Sequence, residues 1–418
     1  MSRCFFCLLL SIATAVGVNP CYASPQATAV AAPQEVASAA LSKEEAAAKV
    51  KQLLSDYHEK IRETRSEEWK AKKIVLGEYE MKFDYRVFGD KPAEGRSLFI
   101  SMHGGGTAPG NVNENQWKNQ INLYKPAEGI YLAPRAPTNK WNMWHADHID
   151  DFFARIIENA IAIEDVNPNR VYLMGYSAGG DGVYQMAPRM ADQLAAAAMM
   201  AGHPNGASPA NLRNMGFTIH MGGKDSAYKR NKIAAKWKEK LAKLQKQDPQ
   251  GYKHEVTIHE QHGHWMQRDD AVAVPWMEKF TRNPIPEKVV WRQSNNNDDR
   301  FFWLAVDSEN QKAGAKVIVN RKGNRFEIEE ATDVNQLIIR LNDEMVDFTK
   351  PIEVAQKGAD GEWATQTFSN VERRGELLEK TLAGRGDVHS VFSAEVTVDI
   401  LPPAEPTKSA MPTGSAKK

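Results

Sequence analysis

The chain has almost no cysteine. Its 418 residues hold three, Cys4, Cys7 and Cys21, all near the N-terminus. Beyond residue 21 there is none, which excludes disulfides, cysteine-based metal sites and a cysteine nucleophile from the rest of the chain. There is no excess charge of either sign, because Lys+Arg and Asp+Glu are each 53. A zero balance leaves no basic footprint for nucleic acid and no acidic solvating tail. Long apolar runs are also missing. The longest, Cys4 to Val18, is short for a membrane span.

That run does have a use. Arg3 precedes it, and Asn19-Pro20-Cys21-Tyr22-Ala23 follows. A basic start, a short apolar stretch and a small residue before a polar one describe a secretory signal over 1–23. The expectation is an exported protein, periplasmic or extracellular, whose mature chain begins near Ser24 without a thiol. Pro20 stands where a lipid anchor on Cys21 needs a small flexible residue. Residues 24–41, rich in Ala, Pro and Gln, read as a flexible leader.

Ser42 and Glu45 then make a capping box, and Val50, Leu53, Leu54, Tyr57 and Ile61 follow at helical spacing. A packing helix should run to about residue 70. From residue 80, strands alternate with helices. Met81–Val87, Leu98–Met102, Ile130–Ala133, Val171–Met174, Ala195–Met200, Phe217–Met221 and His254–His259 read as strands. The stripe Ile149, Phe152, Phe153, Ile156, Ile157, Ala160 and Ile161 marks a helix, as do the Lys-rich stretch 227–246 and residues 271–281. The alternation implies a mostly parallel sheet clad on both faces. Residues 42–282 form this unit. After Asn283-Pro284-Ile285-Pro286 the pattern turns to short strands, with a helix only near 371–381 and a hairpin turn at Lys322-Gly323-Asn324. A small sandwich-like β-domain over 287–401 is expected, then a disordered tail at 402–418.

Gly175-Tyr176-Ser177-Ala178-Gly179 fits G-x-S-x-G between a strand and a helix with Val183, Met186 and Met190 at helical spacing. A serine on so tight a turn projects its hydroxyl over the sheet edge. It needs a base, and an imidazole titrating near neutrality serves. Gln261-His262-Gly263-His264-Trp265 follows the last strand; His264 is preferred and His262 is the rival. The imidazole needs a carboxylate to fix its tautomer. Asp225 follows a strand on Gly222-Gly223-Lys224 and lies between the serine and the histidines. Asp181, inside the helix after the turn, suits a structural role better. An oxyanion needs two aligned N–H donors. Ala178 supplies one, and Gly104 or Gly105 of His103-Gly104-Gly105-Gly106-Thr107 supplies the other.

These four pieces together resemble the α/β-hydrolase superfamily over about residues 80–282. They look most like the secreted esterase and polyhydroxyalkanoate-depolymerase-like branch, with dienelactone-hydrolase and prolyl-oligopeptidase-type domains as relatives. The resemblance implies an α/β-hydrolase doubly wound sheet, acyl transfer through an acyl-enzyme, and neither cofactor nor metal. The chain departs from many polymer depolymerases, which carry a cysteine in the oxyanion loop and disulfides elsewhere. A carboxylic-ester hydrolase acting on a small or polymeric ester is the favoured reading. A serine exopeptidase and a non-catalytic binding protein on a hydrolase scaffold are the alternatives. The roughly 55 residues before the sheet cannot form the propeller of prolyl-oligopeptidase relatives, and a binding protein has no need of both serine and histidine.

Other residues invite lesser roles. Trp141, Trp144, His203 and Trp265 are expected to line the substrate pocket, with Trp265 shielding the imidazole from water. Met143 shares their loop. His145, Asp147 and His148 suggest a metal cluster only weakly. Trp291, Trp303 and Trp363 of the β-domain are candidate stacking platforms for carbohydrate or surface contact, although core burial is the commoner fate of a tryptophan.

Overall fold

The computed structural model describes residues 39–294, 299–358 and 360–401. The expected signal, most of the leader and the tail lie outside these residues. Among the described residues, no helix is long and apolar enough to cross a membrane.

Among the described residues the first helix is α1 (Lys43–Lys70), capped by the reciprocal Ser42–Glu45 bonds its sequence predicts. Next come β1 (Lys73–Leu76), β2 (Tyr79–Phe88), β3 (Arg96–Met102), α2 (Gly110–Gln120), β4 (Gly129–Pro134), α3 (His148–Glu164) and β5 (Val166–Tyr176). Then follow α4 (Ala178–Arg189), β6 (Ala196–Met200), β7 (Gly216–Gly222), α5 (Arg230–Gln247), β8 (His254–His259) and α6 (Ala273–Met277). The sheet runs β1-β2-β4-β3-β5-β6-β7-β8. β1 and β2, and β2 and β4, pair antiparallel, and every later pairing is parallel. This is the doubly wound, mostly parallel sheet of the α/β-hydrolase fold.

The central strands read as apolar runs because both of their faces are covered. β3 is buried in all but its first residue, and β4, β6 and β7 are buried throughout. The stripe on α3 is fully placed in this core. The final helix is shorter than expected. A 3₁₀ turn at Asp269–Val272 leads into only five α-helical residues, Ala273–Met277. Pro275 lies in that first turn, where its missing N–H costs nothing, and the chain leaves helix by Phe280.

Beyond it, β9 (Lys288–Arg292), β10 (Arg300–Phe301), β11 (Leu304–Ala305), β12 (Lys316–Lys322), β13 (Arg325–Thr332), β14 (Gln336–Leu341), β15 (Ile352–Lys357), β16 (Trp363–Phe368), α7 (Gly375–Leu382) and β17 (Ala394–Asp399) follow. They build a four-stranded sheet, β10-β11-β14-β17, and a five-stranded one, β16-β15-β13-β12-β9. Trp303, between β10 and β11, meets Phe326 of β13 at 5.5 Å, so rings from the two sheets share a core. β13 pairs parallel with β15, and the other pairings are antiparallel. β15 and β16 carry no strong apolar–polar alternation in sequence. The hairpin at Gly323-Asn324 is present between Lys322 and Arg325, with Gly323 at φ +55°.

α1 touches both regions. Its Glu68 takes Arg155 and Asn159 of α3, and its apolar residues join Leu378 and Leu382 of α7. Two buried ion pairs also join the regions, Arg282–Asp387 at 2.5 Å and Arg385–Asp192 at 2.8 Å.

Candidate active site

The four segments singled out in sequence all leave the C-terminal ends of parallel strands, where open α/β sheets bind ligands. Residues 103–107 follow β3, Ser177 follows β5, Asp225 follows β7 and His264 follows β8. Neighbouring strand ends bring residues far apart in sequence onto one edge.

Ser177 has φ +59° and ψ −119°, a strained backbone that only a tight turn imposes. The turn depends on its glycines. A Cβ on Gly175 would lie 2.3 Å from the Gly179 carbonyl, and one on Gly179 would lie 2.1 Å from the Met102 carbonyl. α4 begins at Ala178, so its N-terminal amides point toward the space above Ser177.

Ser177 Oγ lies 2.9 Å from Nε2 of His264, and Nδ1 of His264 lies 2.7 Å from Oδ2 of Asp225. With Nδ1–H donating to the carboxylate, Nε2 is left to accept from the serine. Asp225 is buried, and its other oxygen faces the Arg230 guanidinium at 3.6 Å. His262 instead bonds Asp269 at 2.7 Å. Asp181 accepts the His203 amide at 2.6 Å and the Asn205 side chain at 3.3 Å. Burial pushes its carboxyl above the usual range.

Gly104 packs on Ser177, since a Cβ there would sit 3.1 Å from the serine Cβ. Two side chains that sequence reasoning passed over hold this loop. Asn113 donates to the Gly106 and Ala108 carbonyls at 3.0 and 2.9 Å. His103 donates from Nδ1 to the Gly104 carbonyl at 2.6 Å and accepts the Ala136 amide at Nε2. Burial lowers its pKa to about 3, so it stays neutral and structural. Asn113 is buried within α2, a placement that no local sequence pattern marked. Tyr176 was also missed. Its hydroxyl donates to the His264 carbonyl at 2.7 Å and accepts the Met266 amide at 2.9 Å, fixing the histidine loop.

The four expected pocket residues separate. Trp141 is exposed, and His203 is half-buried; both lie beside Ser177 in a small depression. Trp265 is half exposed on the other side, in a larger one. Trp144 does not line the site. It is fully buried, donating Nε1 to the His103 carbonyl, because the loop 141–147 turns it into the core. Trp265 does not shield the imidazole. Its ring packs on Tyr176 at 5.5 Å, and the His264 side chain remains 43% exposed. His145 packs against Trp141 while His148 stacks on Tyr79 at 3.9 Å, so the two histidines face different neighbours. In the β-region Trp291 and Trp303 are fully buried and cannot be stacking platforms, while Trp363 is 45% exposed under the Lys357 ammonium.

Residues 132–291 match the dienelactone hydrolase family. The matched stretch runs from β4 into β9; it contains Ser177, Asp225 and His264 and stops short of the loop 103–107. No curated protein matches the chain. Among solved structures, a thermostable esterase is similar at 16% identity and TM-score 0.39, over 50% of this chain and 64% of that one. The poly(3-hydroxybutyrate) depolymerase LpqC from Bordetella parapertussis is similar at 17% identity and TM-score 0.37, over 50% and 90%. Est1E from Butyrivibrio proteoclasticus is similar at 14% identity and TM-score 0.31, over 50% and 95%.

Proposed function

We propose that this chain is a serine hydrolase that cleaves carboxylic esters through an acyl-enzyme, with Ser177 as nucleophile, His264 as base and Asp225 as its orienting carboxylate. The observation that carries this reading is the hydrogen-bonded line from Ser177 Oγ through His264 to Asp225, set on a strained turn at a helix N-terminus. The match to the dienelactone hydrolase family over the stretch that bears all three residues supports it.

The steps follow from the geometry. Ser177 Oγ attacks the ester carbonyl carbon while its proton passes to His264 Nε2. The imidazolium is stabilised by Asp225, and the oxyanion by the Ala178 amide with that of Gly104 or Gly105. The carbon–oxygen bond to the alcohol breaks as His264 gives its proton to the leaving oxygen. Water, deprotonated by the same nitrogen, then releases the acid and restores Ser177. The triad itself calls for no cofactor. Export to the periplasm or beyond belongs to the same proposal and rests on the signal-like start of the sequence.

A fluorophosphonate probe tests the assignment. Covalent labelling should map to Ser177 and block hydrolysis of p-nitrophenyl acetate. Labelling of another residue, with Ser177 untouched, would overturn it.

A further inference from the structure

Two depressions meet at Ser177, and their linings differ. The smaller, about 240 Å³, is bounded by Ala178, Asp181, His203, Tyr228 and Arg230, with Trp141 at its edge. The larger, about 760 Å³, takes in Tyr176, His264, Trp265 and Arg268, with Gln116 and Asn119 of α2 opposite. The leaving oxygen of an ester must come within hydrogen-bond reach of His264 Nε2 to receive its proton. Only the larger cleft is lined by both Ser177 and His264. The alcohol therefore belongs there, and the acyl group belongs in the smaller depression.

α2 is an unusual wall for that cleft. Six of its eleven residues are Asn or Gln. Asn is a poor helix former, because its side chain competes for the backbone, so propensity does not explain the choice. Asn113 and Gln120 point inward, Asn113 to the loop after β3 and Gln120 to Ser101. Gln116 and Asn119 are exposed and face the cleft, joined by Asn122 just past the helix. A neutral amide offers donors and an acceptor together, as a hydroxyl-rich ligand requires of its partners. Trp265, 50% exposed, presents a flat apolar face of the kind on which the C–H face of a sugar ring stacks. No carboxylate lines the cleft among the described residues, and Lys118 and Arg268 add further donors.

We propose that the leaving group is a carbohydrate hydroxyl, so that the substrate is a sugar bearing a short O-acyl group. The sugar lies on Trp265 against the amides of α2, and the acyl group sits beside Ala178 and Arg230. This rests on the esterase reading above.

The test compares acetate esters that share one acyl group: ethyl acetate, hexyl acetate, p-nitrophenyl acetate and an O-acetylated xylo-oligosaccharide, each with the full chain. The oligosaccharide ester should exceed ethyl and hexyl acetate in kcat/KM by ~10-fold or more, the scale that hydrogen bonds and stacking in a pocket supply. Trp265→Ala and the double variant Asn119→Ala/Asn122→Ala should each cut the ratio of oligosaccharide to ethyl acetate kcat/KM by ~10-fold, chiefly through KM. A preference for hexyl acetate, equal rates on sugar and ethyl esters, or an unchanged ratio in both variants would overturn the assignment. If p-nitrophenyl acetate is cleaved while the sugar ester is not favoured, only the carbohydrate assignment falls. If no ester is cleaved, the esterase reading falls and takes it along.

Discussion

The parallel sheet and the two C-terminal sheets differ in where they leave their exposed aromatic residues. The C-terminal sheets bury Trp291 and Trp303 and leave only Trp363 half exposed. The parallel-sheet region also buries most of its rings, yet it leaves Trp141, Trp265 and Tyr228 at 60%, 50% and 76% exposure. All three line the depressions that meet at Ser177. The parallel-sheet region likewise holds the strained Ser177 backbone and the buried Asp225. Exposed rings and stored strain both cost stability, and they persist where a ligand repays them. The first region gathers its exposed rings at one site, while in the second Trp363 stands apart and the other two tryptophans pack.

The sharpest way to break this contrast is Ser177→Ala. Turnover of p-nitrophenyl acetate should fall on the order of a million-fold while circular dichroism is unchanged. Full activity in that variant would remove the chemistry from the first region. Next in size are the partners of the serine. His264→Gln should cost nearly as much as loss of the serine, on the order of a million-fold, with loss of the acyl-enzyme burst, and Asp225→Asn roughly ten-thousand-fold in turnover. His262→Gln and Asp181→Asn should retain most activity, Asp181→Asn losing stability through its bonds to His203 and Asn205. The reverse pattern would reassign the triad.

Smaller effects probe the second region. Trp303→Ala should lower stability by about 3–5 kcal/mol in urea unfolding, as large buried rings do, and leave the kcat of the remaining folded protein near wild type. A selective loss of kcat would give the β-region a catalytic part. The seam between the regions should be acid-sensitive. Burial alone would raise the Asp387 carboxyl, but the Arg282 guanidinium and its hydrogen bond outweigh this and hold it below the usual carboxylate range. A depressed carboxyl stabilises fully above its unfolded pKa and loses that contribution as pH falls through the folded value. Asp387→Asn should cost about 3–5 kcal/mol at neutral pH, by leaving Arg282 buried without its charge partner, and should show a shallower acid loss than wild type. Trp363→Ala, on an exposed strand, should change stability by no more than about 0.5 kcal/mol. A larger cost would place Trp363 in an unrecognised contact.

The sequence alone determined the elements whose signal is local. The Ser42–Glu45 cap, the α3 stripe and the apolar central strands are written in neighbouring residues, and so is the glycine-flanked Ser177 turn. Chain order was enough to nominate Asp225 and the loop that carries both His262 and His264, because a fixed strand order dictates which loops share an edge. Tertiary structure decided what depends on direction. His262 and His264 are two residues apart with the same chemistry, and only the loop's path, fixed by Tyr176, sends one to Ser177 and the other to Asp269. Trp141 and Trp144 share a loop, yet one faces solvent and the other the core. β15 and β16 lack periodicity of their own and take their form from β13, which they extend. Side-chain direction and strand partnership are set by packing across distant segments, and no local pattern records them.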